Sequence, residues 1–184
     1  MNTNYSLGNY QQSVNFNGKV DKKSAKLAKE LGGEVLENIQ NLASKTSKNT
    51  TIKLNEMGGE YGVYAFNNKM GYGLTVGMVP KEKLAKTIGI INPKRVDEGI
   101  VNSAIKSIKE TAASGPMNTT EKKMLREEAR ETLKLQREIG VQKPFWSETK
   151  KLMAEAEDRA DKERLAFDRE YAAWKNSMLM DRLK

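Results

Sequence analysis

A chain of 184 residues with 38% hydrophobic and 30% charged side chains can close one modest core, and the rest of so polar a sequence belongs in solvated helices. It contains neither cysteine nor histidine, which excludes disulfides, thiolate nucleophiles, Cys- or His-ligated metals and imidazole acid–base chemistry. The formal net charge of +8 falls as +2, +4 and +2 over residues 1–60, 61–115 and 116–184, so no single tail gathers the excess.

Residues 1–20 are rich in Asn, Gln, Ser and Gly, with Tyr5, Tyr10, Val14 and Phe16 scattered among them. So few apolar groups cannot offset the entropy of ordering the segment, and a flexible tail is expected. With no basic n-region, no apolar h-region and no 18-residue apolar run, the sequence predicts neither a secretory signal nor a membrane span, and a cytoplasmic protein. The uncharged Asn/Ser/Gln-rich start also resembles the leader of type III secretion substrates. That resemblance implies an effector-type protein exported through a leader that is not cleaved.

Helical periodicity begins near Asp21, where Leu27, Ala28, Leu31, Val35, Ile39 and Leu42 recur at spacings of three and four across residues 21–47. Gly32 and Gly33 predict a break within it. The period then drops to two. TTIKLNEM, EYGVYAFN and YGLTVGMV read as a three-stranded antiparallel meander, turned at Gly58-Gly59 and at Asn67–Gly71. Alternation places Tyr72, Leu74, Val76 and Met78 on one side of the third strand.

After Pro80, KEKLAKTIG makes a short helix. Asn92-Pro93 opens a longer one, marked by Val96, Ile100, Ala104, Ile105 and Ile108 and closed by Gly115-Pro116. Asn118 with Glu121 forms a capping box for a helix to Ile139, striped by Leu125, Ala129, Leu133 and Ile139 with Met124 and Leu135 at its edges. Gly140 and Pro144 break the chain, and a last helix runs from about Ser147 with Met153, Ala156, Ala160, Phe167, Tyr171, Trp174 and Met178 on one stripe. Two narrow stripes joined by a Gly/Pro turn predict an antiparallel, coiled-coil-like hairpin.

The fold class is therefore α+β: helices on a three-stranded antiparallel meander, followed by a long C-terminal helical hairpin. Residues 1–20 form the tail, 21–115 the small α+β domain and 116–184 the hairpin. At about 1.5 Å per residue the first arm of the hairpin spans ~30 Å and the second ~55 Å. Pairing from the turn would cover the second arm only to about residue 167, leaving its bulky end beyond its companion.

Several groups invite a chemical reading. Gly71-Tyr72-Gly73 lacks dinucleotide-loop spacing and enters a strand, so it is turn chemistry. Glu155, Glu157, Asp158 and Asp161 are interleaved with Arg159, Lys162 and Arg164, the pattern of a salt-bridged helix face. Lys81, Lys83, Lys86, Lys94 and Arg95 form a basic cluster able to meet nucleic-acid phosphates. The order helix, three antiparallel strands, Lys-bearing helix over residues 21–90 resembles the double-stranded-RNA-binding domain. The resemblance implies phosphate contacts by Lys81, Lys83 and Lys86, although the last helix here ends early, near Gly89.

The sharpest feature is Phe167, Tyr171, Trp174 and Met178, at the spacing with which a helix meets a groove or another helix. These observations predict a non-enzymatic interaction or adaptor protein without a cofactor or metal. Its partner, a second protein or a second copy, would dock on the C-terminal helix. Nucleic-acid binding through residues 81–95 is the alternative.

Overall fold

Ile52 and Leu54 alternate with Lys53 and Asn55, and this two-residue period builds the centre of the fold. The computed structural model describes residues 17–141 and 144–182, with side chains through Asn176. In chain order these form β1 (Lys19–Val20), α1 (Lys22–Leu31), α2 (Gly33–Ser44), β2 (Thr50–Met57), β3 (Glu60–Asn67) and β4 (Tyr72–Pro80), then α3 (Lys81–Ile90), α4 (Pro93–Ala113), α5 (Thr119–Glu138) and α6 (Trp146–Arg182). The class is α+β, with six helices and a four-stranded mixed sheet among the described residues.

The sheet corrects the expected three-stranded meander. β2, β3 and β4 are antiparallel neighbours, but β1 adds a parallel edge strand, pairing Lys19 with Thr51 and Val20 with Ile52. Lys19 and Val20, read as part of the tail, thus belong to the sheet; residues 1–16 lie outside the described residues. β1 covers the open edge of β2 for two residues. Asp21 N–H then donates to the Ile52 carbonyl at 3.0 Å, and the Ser24 hydroxyl accepts from Leu54 N–H at 2.8 Å. Backbone and a buried serine together satisfy an edge that would otherwise invite pairing.

The chain divides into two compact units: residues up to Ser103 with 133–142, and residues 104–132 with 143–184. In the first unit, α1, α2 and α3 cover one face of the sheet. Ile52, Leu54, Val63 and Ala65 meet Ala28, Ile39, Leu84 and Ile88 in a closed layer, and Val96, Ile100 and Val101 of α4 are sealed as well. The break between α1 and α2 falls at Gly32, whose φ of 138° lies where L side chains rarely go.

A bulge alters β4. Val63 pairs with Gly77 but Tyr64 with Thr75, so Val76 is an extra residue and the alternation changes phase after it. Met78, expected beside Leu74, is consequently exposed on the other face, and Val79 turns inward.

In the second unit the latter part of α4, the first part of α5, and α6 bury Ala104, Ile108, Ala112, Leu125, Ala129, Phe145 and Ala156. The capping box holds α5: Asn118 Oδ1 accepts from Glu121 N–H at 2.9 Å, and Glu121 Oε2 from Asn118 N–H at 2.8 Å. Lys122 pairs with Glu157, Lys109 with Glu148 at 2.6 Å, and Arg159 Nη2 donates to the Ala113 carbonyl at 2.8 Å. Because Lys122, one turn inside α5, already sits on Glu157, cover along α6 ends near Ala160, earlier than the expected residue 167. The buried stripe of α5 also shifts, taking in Thr132 and Leu135 while Leu133 is half-buried and Met124 exposed.

Candidate interaction surfaces

α6 is a continuous 37-residue helix, and every residue from Asp161 to Asn176 is exposed. Phe167, Tyr171 and Trp174 are 65%, 54% and 56% exposed. Their spacing of four and three puts them on one stripe, and the rings touch one another. Phe167 and Tyr171 stack with centroids 6.4 Å apart and planes 13° from parallel; Tyr171 and Trp174 follow at 5.8 Å and 32°. Mutual stacking orders the rings and leaves their outer faces open, and Leu165 adds another exposed apolar side chain. Met178 continues the stripe in sequence, on backbone that is helical, but lies outside the residues whose side chains are described.

The basic group is less convergent. Lys81, Lys83 and Lys86 are exposed on α3, and Lys94 and Arg95 on the first turn of α4. Lys83 and Lys86 share the solvent side of α3, opposite the buried Leu84 and Ile88; Lys81, two residues before Lys83, points elsewhere. Ile90, two turns on from Lys83, puts an exposed apolar side chain on the same face. Lys94 leans towards Glu98 at 4.0 Å.

Three of the four acids grouped on α6 are engaged with cations, Glu157 with Lys122, Asp158 with Lys162 at 2.6 Å and Glu155 with Lys151 at 3.8 Å. Among the described residues no cluster of three metal-capable side chains occurs, and no helix is long and apolar enough to cross a membrane.

One buried carboxylate escaped the sequence reading. Asp97, on α4, is fully buried and accepts from Ser47 N–H at 2.8 Å and from the Thr50 hydroxyl at 2.9 Å. Burial pushes its carboxyl above the usual carboxylate range; the hydrogen bonds from Ser47 and Thr50 pull the other way, and the charge of Glu138 adds a smaller upward push. Ser47 and Thr50 also bond each other at 2.7 Å, so the cluster pins the loop before β2 to α4. Its role is structural: a satisfied polar knot inside the first unit.

The sheet face away from α1–α3 carries a second grouping. Phe66 and Tyr64 project from β3, with Thr51 and Lys53 beside them on β2 and Gly73 and Thr75 on β4. All of these but Thr51 line a shallow groove of about 520 Å³. Lys53 Nζ lies 5.5 Å from the Phe66 ring centroid, and the Tyr64 hydroxyl reaches Met57 Sδ at 3.0 Å. No protein-family profile matches the chain, and neither a curated protein nor a solved structure is significantly similar to it.

Proposed function

We propose that this is a non-enzymatic interaction protein whose α6, beyond Ala160, is the contact surface, and that the first occupant of that surface is the same helix of a second copy. The observation that carries this reading is the row of three neighbouring rings, each more than half exposed, on a helix that runs past its cover. An apolar stripe of this size on an otherwise charge-rich surface marks a contact site. Its four-three-four spacing from Phe167 to Met178 averages about 3.7 residues, close to one helical turn, so the four positions keep to one face of α6.

Charge favours self-pairing. Between Asp161 and Arg182 five acidic residues stand against five basic ones, so this segment is neutral within a chain of +8 and two copies meet without net repulsion. A chain without imidazole or thiol is also poorly equipped for most acid–base or nucleophilic catalysis.

Sedimentation of the full chain across a range of concentrations tests the reading. A reversible dimer is expected that persists in high salt and is lost in the variant Phe167→Ala/Tyr171→Ala/Trp174→Ala while the fold survives. A monomer at every concentration, or a dimer indifferent to the three substitutions, removes it.

A further inference from the structure

A second surface, independent of α6, lies on the open face of the sheet. On β3 the side chains of Tyr64 and Phe66 point the same way, away from the helical layer. The positions under and beside them are glycines. A Cβ on Gly62 would lie 2.6 Å from Tyr64 Cε2 and from its hydroxyl; one on Gly73 would lie 2.9 Å from Phe66 Cδ2 and 2.6 Å from the Ala65 carbonyl oxygen. Both rings therefore settle against bare backbone, Tyr64 along its own strand and Phe66 over the neighbouring one. Each keeps an outward surface and is half-buried, not sealed. Packing alone would explain a ring covering a glycine on a buried face. Here the face is open, and Lys53, Thr51 and Thr75 border the rings with a cation and hydroxyls.

We infer that this face is a stacking platform for single-stranded nucleic acid. Two observations select that occupant. The first is ring placement: residues two apart on a strand start about 6.6 Å apart, nearly twice the ~3.4 Å rise of a stacked base, and the rings lead away in different directions, Tyr64 over Gly62 and Phe66 over Gly73. Two such rings can each hold a base only from a strand drawn out of its helical stack, so duplex is excluded. The second is charge. The sheet-bearing unit has sixteen basic against ten acidic residues over 1–103 and 133–142, a net +6 of the chain's +8. Lys53 places one of those cations at the rings. Aromatic faces with an adjacent cation grip bases without reading their edges, and the unit's net positive charge draws a polyanion towards it. This site is separate from Lys81, Lys83 and Lys86, whose helix α3 belongs to the layer on the opposite side of the sheet.

The test is binding of labelled oligouridine and of a matched RNA duplex to the full chain at low salt. Oligouridine is expected to bind in preference to duplex. Tyr64→Leu and Phe66→Leu, which keep an apolar cover on the glycines but remove the π face, should each weaken it by roughly ten-fold or more. Lys53→Gln should lower the slope of log affinity against log salt by about one, and Lys83→Ala/Lys86→Ala should leave the preference for single strands intact. Circular dichroism and the thermal midpoint keep the variants interpretable, since Lys53, Lys83 and Lys86 are exposed and Tyr64 and Phe66 are only half-buried. Equal binding to duplex, affinity indifferent to both ring substitutions, or no oligouridine binding at low salt each overturns the proposal. So does a dimer that depends on Tyr64 and Phe66, because that face would then be covered by protein.

Discussion

Leu84 and Ile88 stand one turn apart on α3, and Phe167 and Tyr171 stand one turn apart on α6. The first pair is sealed and the second is more than half open. Intrinsic spacing is the same, so the difference lies in what each helix faces. α3 lies on β3 and β4, and its stripe completes a two-layer core. Among the described residues, α6 beyond Ala160 has no element of its own unit beside it, and its rings stack only on each other. An apolar stripe states that a helix has a face to cover; it does not state what supplies the cover.

Substitutions should divide along the same line. The largest effect is expected for Ile100→Ala or Ile52→Ala in the sealed layer, a loss of about 2–5 kcal/mol in urea unfolding. A loss under about 1 kcal/mol at both sites would mean that the sheet and its helices are not one packed core.

Asp97→Ala comes next. It strips Ser47 N–H and the Thr50 hydroxyl of their acceptor and should cost about 1–3 kcal/mol. Asp97→Asn should behave differently with pH. Because the folded carboxyl titrates above its unfolded value of 3.8, the folded chain holds the extra proton between those two values, and wild-type stability drains away as pH rises through that window. Measured from pH about 4 upwards, the stability of wild type relative to Asp97→Asn should fall and then level off. A relative stability that rises with pH would reverse the assignment.

Removing the α5 cap by Asn118→Ala should cost about 0.5–2 kcal/mol and show as fraying of that helix in hydrogen exchange. The smallest effect on stability belongs to Phe167→Ala/Tyr171→Ala/Trp174→Ala, within about 0.5 kcal/mol for a monomer, because those side chains stay more than half exposed after folding. A larger loss would place the stripe with the core.

Much of the framework was legible because its signals are local. Period switching at Thr50, the Gly58-Gly59 turn, Asn92-Pro93 and the Asn118/Glu121 box each fix a boundary within a few residues, and α4 falls on 93–113 as its pattern predicts. What was not legible depends on distant partners. β1 is two residues whose strand character exists only because β2 offers an edge. The bulge at Val76 arises from pairing with β3, and no alternation inside YGLTVGMV announces it. Asp97 reads as an ordinary helix-surface acid until Ser47 and Thr50, at the entry to β2 some fifty residues earlier, reach it. Phe145, buried just before α6, stands alone between a proline and a tryptophan, outside any periodic run. The α6 stripe was visible by spacing and its overhang by arm length, but where the cover stops follows from where α5 begins, through the pairing of Lys122 with Glu157.

Trp174 gives the most direct measurement. The chain has two tryptophans, so Trp146→Phe leaves Trp174 as the sole indole reporter on the stripe. Its emission should be that of a water-exposed ring in dilute solution and should shift to the blue as concentration rises and copies pair. A blue, quencher-protected emission in a protein that sediments as a monomer would contradict the account, since the ring would then be covered by its own chain.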